Sequence, residues 1–314
     1  DLVAIDGKTS RRSHDRALSR APLHLVSAFA TTSRLILGQE AVADKASELA
    51  AIPVLLERLA ASGTLKGALV SIDAIACNGS IAQAITEAGA DYLLAVKGNQ
   101  PSLRAEIEAL FATAPPDRRV ATVVDWDKGH GRIEQRTVTV SRETDWLEGD
   151  RRFPGELRLP GATTIVRVGS RTELKARGRF DTRYYISSAA LTPQAAAEAV
   201  RGHWAIENGL HWVLDMIFNE DQSRLRKGHG ARNMAIVRHL ALTLEPTRSM
   251  RVRGRGLKTL ERYQRAPRLF TCRSAAARSS SCNLPALRRF CIKSSGGARE
   301  LFDAGKTFRR PQRS

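Results

Sequence analysis

The order of apolar runs along the first third of the chain is the feature that most limits its fold. Short runs rich in β-branched residues alternate with amphipathic segments in the order β-β-β-α-β-α-β-α. A hairpin followed by alternating helices and strands is typical of a mixed sheet covered by helices. The predicted strands are 2–6, 23–31, 34–42, 66–76 and 91–100, and the predicted helices are 44–61, 81–89 and 102–112.

Residues 118–190 have a different character. Strand-like pieces alternate there with loops that contain Gly and Pro, which predicts an all-β insertion. Helical periodicity returns after residue 190 and stops at Leu244. We therefore divide the chain into a first part of an α/β core (1–117), the insertion (118–190), a second part of the core (191–244) and a basic tail (245–314).

The stretch Arg201–Arg224 is predicted to be one helix. Glu207 lies at the edge of its apolar stripe, where a carboxylate can meet groups on a sheet beneath the helix. Trp204, Asn208 and Trp212 point to the opposite side. The stripe recurs at helical spacing and consists of Ile206, Leu210, Val213, Leu214 and Ile217.

Three acidic residues occupy positions that suit a metal-dependent reaction. Asp6 and Asp73 each lie toward the end of a predicted buried strand, and Glu207 lies on the helix after the insertion. Taken singly, each is more often structural, such as an Asp that caps a loop. Adjacent buried carboxylates, however, repel each other and need cations, and oxygen ligands suit Mg²⁺ or Mn²⁺. We therefore expect the three side chains to converge at one edge of the sheet, around two ions that assist phosphoryl displacement.

Several strings in the chain resemble the DDE transposases of bacterial insertion sequences, in particular the group of H-repeat-associated proteins. The resemblance covers about residues 1–244, and its motifs occur in the same order. The strings are VAIDGKT (3–9), HLVSAFA (24–30), VSIDAIACNGSIAQAI (70–85), GADYLLAVKGNQ (89–100), GHGRIE (129–134), RYYISS (183–188) and RGHWAIENGLHWVLDMIFNEDQSR (201–224).

The resemblance implies a ribonuclease-H-like α/β fold, in which a mixed sheet is flanked by helices and an all-β insertion precedes the glutamate-bearing helix. It implies that Asp6, Asp73 and Glu207 are the catalytic residues and the ligands of two Mg²⁺ or Mn²⁺ ions. The implied activity is DNA transposition, in which the phosphodiester at the element end is hydrolysed and the freed 3′-hydroxyl attacks target DNA. Element ends and target DNA are the implied partners, and a homodimer is left open.

The chain also departs from related insertion-sequence transposases. His203 and Leu214 stand where a wider Tyr, Arg, Glu, Lys signature has its Arg and Lys. Arg201 is an alternative to that arginine. The helical segment that these enzymes carry before the first catalytic strand is absent, so we interpret the chain as truncated at its N-terminus. Alternatives for the acidic role are Asp215, Glu220 and Asp221.

A further set of polar residues is predicted to contact DNA. They lie in the loop after Asp6, at the end of the fifth strand, in the insertion and around Glu207, where basic and amide side chains can bind phosphates. A solvated loop is the alternative for the loop residues. For Trp204 the alternatives are stacking on a base and packing in the core. The candidates are Lys8, Arg11, Arg12, Lys97, Asn99, Arg132, Arg201, His203, Trp204 and Asn208.

Two histidines at helical spacing offer a different chemistry. His203, Glu207 and His211 follow one another at four-residue intervals, which suggests a zinc site. Successive members rotate by about 40° around a helix, so they share a face only loosely, and no fourth soft ligand is near in sequence. A zinc-dependent hydrolase that uses these three residues is therefore a competing hypothesis, and the metal preference of DNA cleavage separates the two.

The net charge of +18 is concentrated near the C-terminus. Residues 245–314 contain 18 Lys and Arg against 4 Asp and Glu, a net charge of +14. Their Arg- and Ser-rich sequence has no sustained period, which favours a frameshifted reading, disorder or a basic arm for nucleic acid. A catalytically inactive remnant that only binds DNA non-specifically is therefore the other alternative function.

Composition argues against several other classes of protein. No apolar run reaches the ~20 residues that cross a membrane, and no signal-peptide pattern is present. The cysteines form no CxxC pair, so a zinc ribbon has no support. We expect a reduced cytoplasmic protein without membrane contact. The four cysteines are Cys77, Cys272, Cys282 and Cys291.

We expect limited proteolysis to remove the chain beyond about residue 248 and to leave residues 1–244 intact. Repulsion among the basic side chains opposes compaction of the tail. Its few apolar residues do not offset about 1–2 kcal/mol of backbone ordering per residue, so we expect short helices at most, around 257–264 and 284–290. Mass spectrometry of the resistant fragment measures this, and a tail protected together with the body would contradict it.

Overall fold

A computed structural model gives the fold of most of residues 1–244. The predicted tail 245–314 lies outside the described residues. No helix in the part of the chain that is described is long and apolar enough to cross a membrane. The described residues are 1–16, 18–42, 47–113, 119–129, 132–149, 152, 156–174 and 177–244.

The first half of the chain forms the predicted mixed sheet. Strand β1 pairs antiparallel with β2 and parallel with β4, and β4 pairs parallel with β5. The order of strands and helices along the chain is the predicted one, and the predicted α/β class, a mixed sheet flanked by helices, is confirmed. The elements are β1 (Leu2–Thr9), β2 (His24–Ala30), β3 (Leu35–Val42), α1 (Glu48–Ala61), β4 (Leu69–Ile72), α2 (Gly79–Glu87), β5 (Asp91–Val96) and α3 (Pro101–Thr113).

The predicted all-β insertion continues this sheet. Its four strands pair antiparallel in sequence order, and its last strand pairs antiparallel with β5. The result is one nine-stranded sheet of order β3-β2-β1-β4-β5-β9-β8-β7-β6. The insertion strands are β6 (Arg119–Gly129), β7 (Arg132–Ser141), β8 (Thr164–Leu174) and β9 (Arg177–Ser187).

Helical structure after the insertion differs from the single helix that the sequence predicts for 201–224. Helix α4 spans Pro193–His203. Thr192 is its N-cap, whose hydroxyl accepts a hydrogen bond from the Ala195 N–H, and the helix ends at a turn around Trp204. A π-helical turn (Glu207–His211) and the short helix α5 (Trp212–Met216) follow. Helix α5 ends at Met216, and Asn219 beyond it adopts a left-handed backbone with φ of 49°, which does not continue a helix. A separate helix α6 spans Gly230–Leu244.

The predicted apolar stripe of this region is buried as expected. Its five residues are at most 7% exposed, and three of them pack with Ala4 of β1 and Phe29 of β2. Helices α1, α2 and α3 cover the opposite face of the sheet with a larger core. The sheet is therefore covered on both faces, and successive residues of β1 contact different layers.

We expect the substitution Leu94→Ala to lower the free energy of unfolding by about 2–5 kcal/mol, because it leaves a cavity in the core. Leu94 lies on the central strand β5 and is fully buried. The matched control is Leu240→Ala on α6, where the side chain is 54% exposed. Urea titration followed by circular dichroism measures both, and equal losses would contradict the position of β5 in the core.

Candidate active site

The three carboxylates predicted from the sequence line one cavity. Asp6 has the same parity as Ala4 on β1 and therefore faces the α4–α5 side of the sheet. Asp73 follows β4, and Glu207 opens the π-helical turn on that same side. The cavity has a volume of about 300 Å³, and all three residues are among those that line it.

His211 joins Asp6 and Glu207 in a compact group that could hold a metal ion. One donor atom from each of the three residues lies within 4.8 Å of the others. The His211 Nδ1 atom is 3.4 Å from Glu207 Oε2 and 3.6 Å from Asp6 Oδ2. Glu207 and His211 lie on the same π-helical turn, which is closed by a hydrogen bond from the Trp212 N–H to the Glu207 carbonyl.

The electrostatics of this group favour a bound cation. Burial, together with the nearby Glu207 carboxylate, raises the pKa of Asp6 to about 7, although the Gly7 N–H donates a hydrogen bond to it. Burial lowers the pKa of His211, and its Nε2 atom is buried without a hydrogen-bond partner among the described residues. Two adjacent carboxylates and a neutral imidazole therefore fit a divalent cation, whose charge would relieve the repulsion.

Asp73 has a different electrostatic environment. The Lys97 Nζ atom lies 2.7 Å from Asp73 Oδ1. Although partial burial opposes ionisation, the hydrogen bond and charge of Lys97 hold the pKa of Asp73 below its usual value. Asp73 is thus ionised in the same cavity but is not a member of the Asp6–Glu207–His211 group.

Comparison with known proteins identifies the family. The family model described as "Transposase DDE domain" matches residues 1–244.

The chain belongs to the DDE transposase family.

Its relatives are themselves bacterial proteins. The chain is 38% identical over 248 residues to "Putative protein YbfL" and 37% identical over 248 residues to "H repeat-associated putative transposase YhhI", both from Escherichia coli (strain K12). Each alignment covers 78% of this chain but only 64% of the relative, so the chain spans somewhat less than two thirds of these relatives.

Among solved structures, a chain of the piggyBac transposase synaptic complex with hairpin DNA aligns at 9% identity and a TM-score of 0.34, covering 91% of this chain and 60% of that one. That score is too low to establish a common fold by itself. The resemblance to H-repeat-associated proteins is confirmed by the family model and the named relatives, and membership in the family implies use of divalent metal.

His203 of this DDE domain does not join a zinc site with Glu207 and His211. Its Nδ1 atom is 2.8 Å from the Ser71 hydroxyl, and burial lowers its pKa. Helix α4 ends at His203, so the chain between His203 and Glu207 is not a regular α-helix that would bring the two side chains to one face. The described metal-capable group therefore contains Asp6 in place of His203.

Lys8, predicted to contact DNA, is engaged by carboxylates. Its Nζ atom lies 2.7 Å from Asp215, 3.4 Å from Glu220 and 3.6 Å from Asp221, and only 10% of the side chain is exposed. Although burial opposes the charge, these carboxylates raise the pKa of Lys8. The three acidic residues proposed as alternatives to Glu207 therefore neutralise a lysine, and none of the three lines the cavity of Asp6 and Asp73.

Of the other residues predicted to contact DNA, some are exposed and others already bind protein groups. Arg11 and Arg12 are exposed, although Arg11 also pairs with Asp221. Asn99 donates a hydrogen bond of 2.7 Å to the Ala74 carbonyl, which supports the loop after Asp73. Arg201 pairs with Asp125 of β6, and Asn208 is exposed. The side chain of Arg132 lies outside the described residues.

Trp204 lies at the wall between the carboxylate cavity and a second, larger cavity. The residue is 46% exposed, so the core-packing alternative is wrong, and the Arg183 guanidinium lies 5.5 Å from the ring centroid. The second cavity has a volume of about 690 Å³ and is lined by α4 and the insertion strands. Its walls include Arg136, Arg179, Arg183 and Arg201.

Sequence reasoning missed several residues of the cavity. Arg183 and Tyr185 reach it from β9, which lies next to β5 only because the insertion continues the sheet. Glu48, the first residue of α1, also lines it. No spacing in the sequence relates these residues to Asp6, although the Gly7 beside Asp6 is a signal that another group approaches the backbone there.

We expect Asp6→Asn to stabilise the metal-free protein, and more so as the pH rises. The raised pKa of Asp6 means that its contribution to stability is present below the unfolded pKa near 3.8 and is lost as the pH rises through about 7. The substitution removes that loss, so its gain should grow by roughly 1–3 kcal/mol between pH 5 and pH 8.

Urea unfolding in the presence of EDTA measures this gain. Asp91→Asn, at an exposed position on β5, is the control. A gain that does not change with pH would show that Asp6 is ionised as readily in the folded state as in the unfolded chain.

Proposed function

We propose that this chain contains the catalytic domain of a DNA transposase that hydrolyses the phosphodiester at the end of its element and then transfers the freed 3′-hydroxyl to target DNA. Asp6, Asp73 and Glu207 are its catalytic carboxylates. The observation that carries the proposal is their common position around one cavity, although 67 and 134 residues separate them along the chain. The Asp6 carboxylate is buried beside Glu207 at an electrostatic cost, which a site for cations offsets.

The proposed cofactors are two Mg²⁺ or Mn²⁺ ions. Asp6, Glu207 and His211 would hold one of them, and Asp73 would contribute to the other after Lys97 moves from its carboxylate to a phosphate. When bound, such ions lower the pKa of water and neutralise charge that develops on the phosphate. Carboxylate oxygens dominate the donor set, which favours these hard cations over zinc.

The protein groups around the ions have separate tasks. The Gly7 N–H fixes one oxygen of Asp6 through a hydrogen bond of 2.8 Å. The Ser71 hydroxyl engages Nδ1 of His203, which leaves Nε2 of that ring for a hydrogen bond with DNA. Because burial lowers the pKa of His203, the ring is neutral at neutral pH, and its Nε2 atom can accept or donate a hydrogen bond according to the tautomer.

DNA would lie across the cavity and along the arginine-lined groove beside it. Arg183, Arg201 and Lys97 are positioned on its walls and would neutralise phosphates once their carboxylate partners are displaced. The half-exposed Trp204 offers a ring face for stacking on an unpaired base. Arg11, Arg12 and Asn208 would extend the surface that contacts DNA. Lys8 would not contact DNA itself but would hold β1 against the acidic residues around it.

We expect Asp73→Ala to reduce nicking and joining of element-end DNA by at least about 100-fold in Mg²⁺ or Mn²⁺, because a metal ligand is lost. DNA binding should persist, since phosphate contacts from Lys and Arg supply most of the affinity. Asp145→Ala, at an exposed turn in the insertion, is the matched control. A gel-based cleavage assay and a filter-binding assay separate the two effects.

Three results of this experiment would speak against the proposal. Wild-type cleavage by Asp73→Ala would remove that residue from the mechanism. Cleavage supported by Zn²⁺ but not by Mg²⁺ or Mn²⁺ would favour the hydrolase alternative. Binding without cleavage by the parent chain, under conditions in which a relative of full length cleaves, would indicate an inactive remnant.

A further inference from the structure

Strand β1 carries Asp6 and Gly7 on opposite faces of the sheet. Asp6 faces the α4–α5 side, so the next residue, Gly7, faces the side covered by α1. A methyl group added at Gly7 would lie 2.4 Å from Glu48 Oε1 and 2.7 Å from His24 Nε2. The absence of a side chain at Gly7 therefore allows a carboxylate from the opposite layer to approach the strand next to Asp6.

Glu48 is held in this place by a chain of buried hydrogen bonds. The His24 Nε2 atom lies 2.7 Å from Glu48 Oε1, and the His24 Nδ1 atom lies 2.7 Å from the Thr9 hydroxyl. With Nε2–H donating to the carboxylate, Nδ1 accepts from Thr9, so strands β1 and β2 together orient the ring. His24 is 2% exposed and Glu48 is 7% exposed, so both are built into the core at the start of α1.

The second oxygen of Glu48 has no such partner. No hydrogen bond to Oε2 is present among the described residues, whereas Oε1 is fixed by His24. Glu48 lines the same cavity as the three catalytic carboxylates, and its charge adds to the burial and the Glu207 charge that raise the pKa of Asp6. Glu48 therefore adds a carboxylate to a cavity that other carboxylates already line, and a cation in that cavity would offset their mutual repulsion.

We infer that Glu48 is a fourth carboxylate of the site, a positioning residue that His24 directs toward the Asp6 side and that strengthens the binding of a divalent cation there. The inference rests on the proposed function, since it assigns a further residue to the same metal-dependent site. Its chemistry is that of a carboxylate adjacent to a metal ligand, where added negative charge and fixed orientation raise the affinity of the site. The exposed Glu57, on the same helix, has none of these contacts and provides a comparison.

Binding of Mn²⁺ alone to the full 314-residue chain, measured by isothermal titration calorimetry and by the electron paramagnetic resonance signal of free Mn²⁺, tests this inference. Glu48→Gln keeps the shape of the side chain and an oxygen that accepts from His24, but removes the charge. We expect it to weaken Mn²⁺ binding by about 10- to 100-fold. Glu57→Gln, which changes the net charge equally, should leave the affinity unchanged.

A second variant guards against a folding defect. Gly7→Ala retains every charge, but its methyl group would displace the Glu48 carboxylate and the His24 ring from their places against β1. We expect Mn²⁺ binding to weaken in this variant as well, and circular dichroism identifies the variants that are folded. Folded Glu48→Gln or Gly7→Ala protein with the affinity of the parent would overturn the inference and leave Glu48 as a packing partner of His24.

Mn²⁺ binding by variants of the proposed metal ligands distinguishes a failure of this inference from a failure of the proposed function. Asp6→Asn and Glu207→Gln should abolish Mn²⁺ binding if the proposed site is correct. If they bind Mn²⁺ like the parent, the proposed metal site itself fails. If they lose binding while Glu48→Gln retains it, only the role of Glu48 fails.

Discussion

The burial of the Asp6 carboxylate beside that of Glu207 is the constraint around which the rest of this structure is arranged. Burial contributes most to the raised pKa of Asp6, and Glu207 adds to it, so the folded state bears an electrostatic cost at this point. The apolar stripe around Glu207 supplies the opposing free energy. Ile206, Leu210 and Leu214 pack on the sheet, and each such side chain contributes about 1.5–3 kcal/mol when fully buried.

A second set of contacts fixes the other end of the same helical region. Lys8, two residues after Asp6, lies among the carboxylates of Asp215, Glu220 and Asp221, and Glu220 is also paired with Arg238 of α6. Buried ions are tolerated only when they are paired. This cluster therefore couples the end of β1 to α5 and to the segment that follows it, and through Glu220 to α6.

The insertion contributes to the site because it extends the sheet. The pairing of β9 with β5 brings Arg183 and Tyr185 to the wall of the carboxylate cavity. The face that they share with α4 continues into the groove that contains Arg136, Arg179 and Arg201. One continuous sheet thus joins the acidic centre to a surface that contains several arginines.

The sequence by itself determined the order of strands and helices, the all-β character of the insertion and the buried stripe around Glu207. These features are encoded in local periodicity, which each segment expresses largely on its own. Only the tertiary structure decided where the helix after α4 ends, that His211 rather than His203 accompanies Glu207, that Lys8 is neutralised and that Glu48 reaches the cavity. Each of these depends on contacts between distant parts of the chain, such as Lys8 with Asp215 at a separation of 207 residues, and local pattern contains no information about which distant charges will meet.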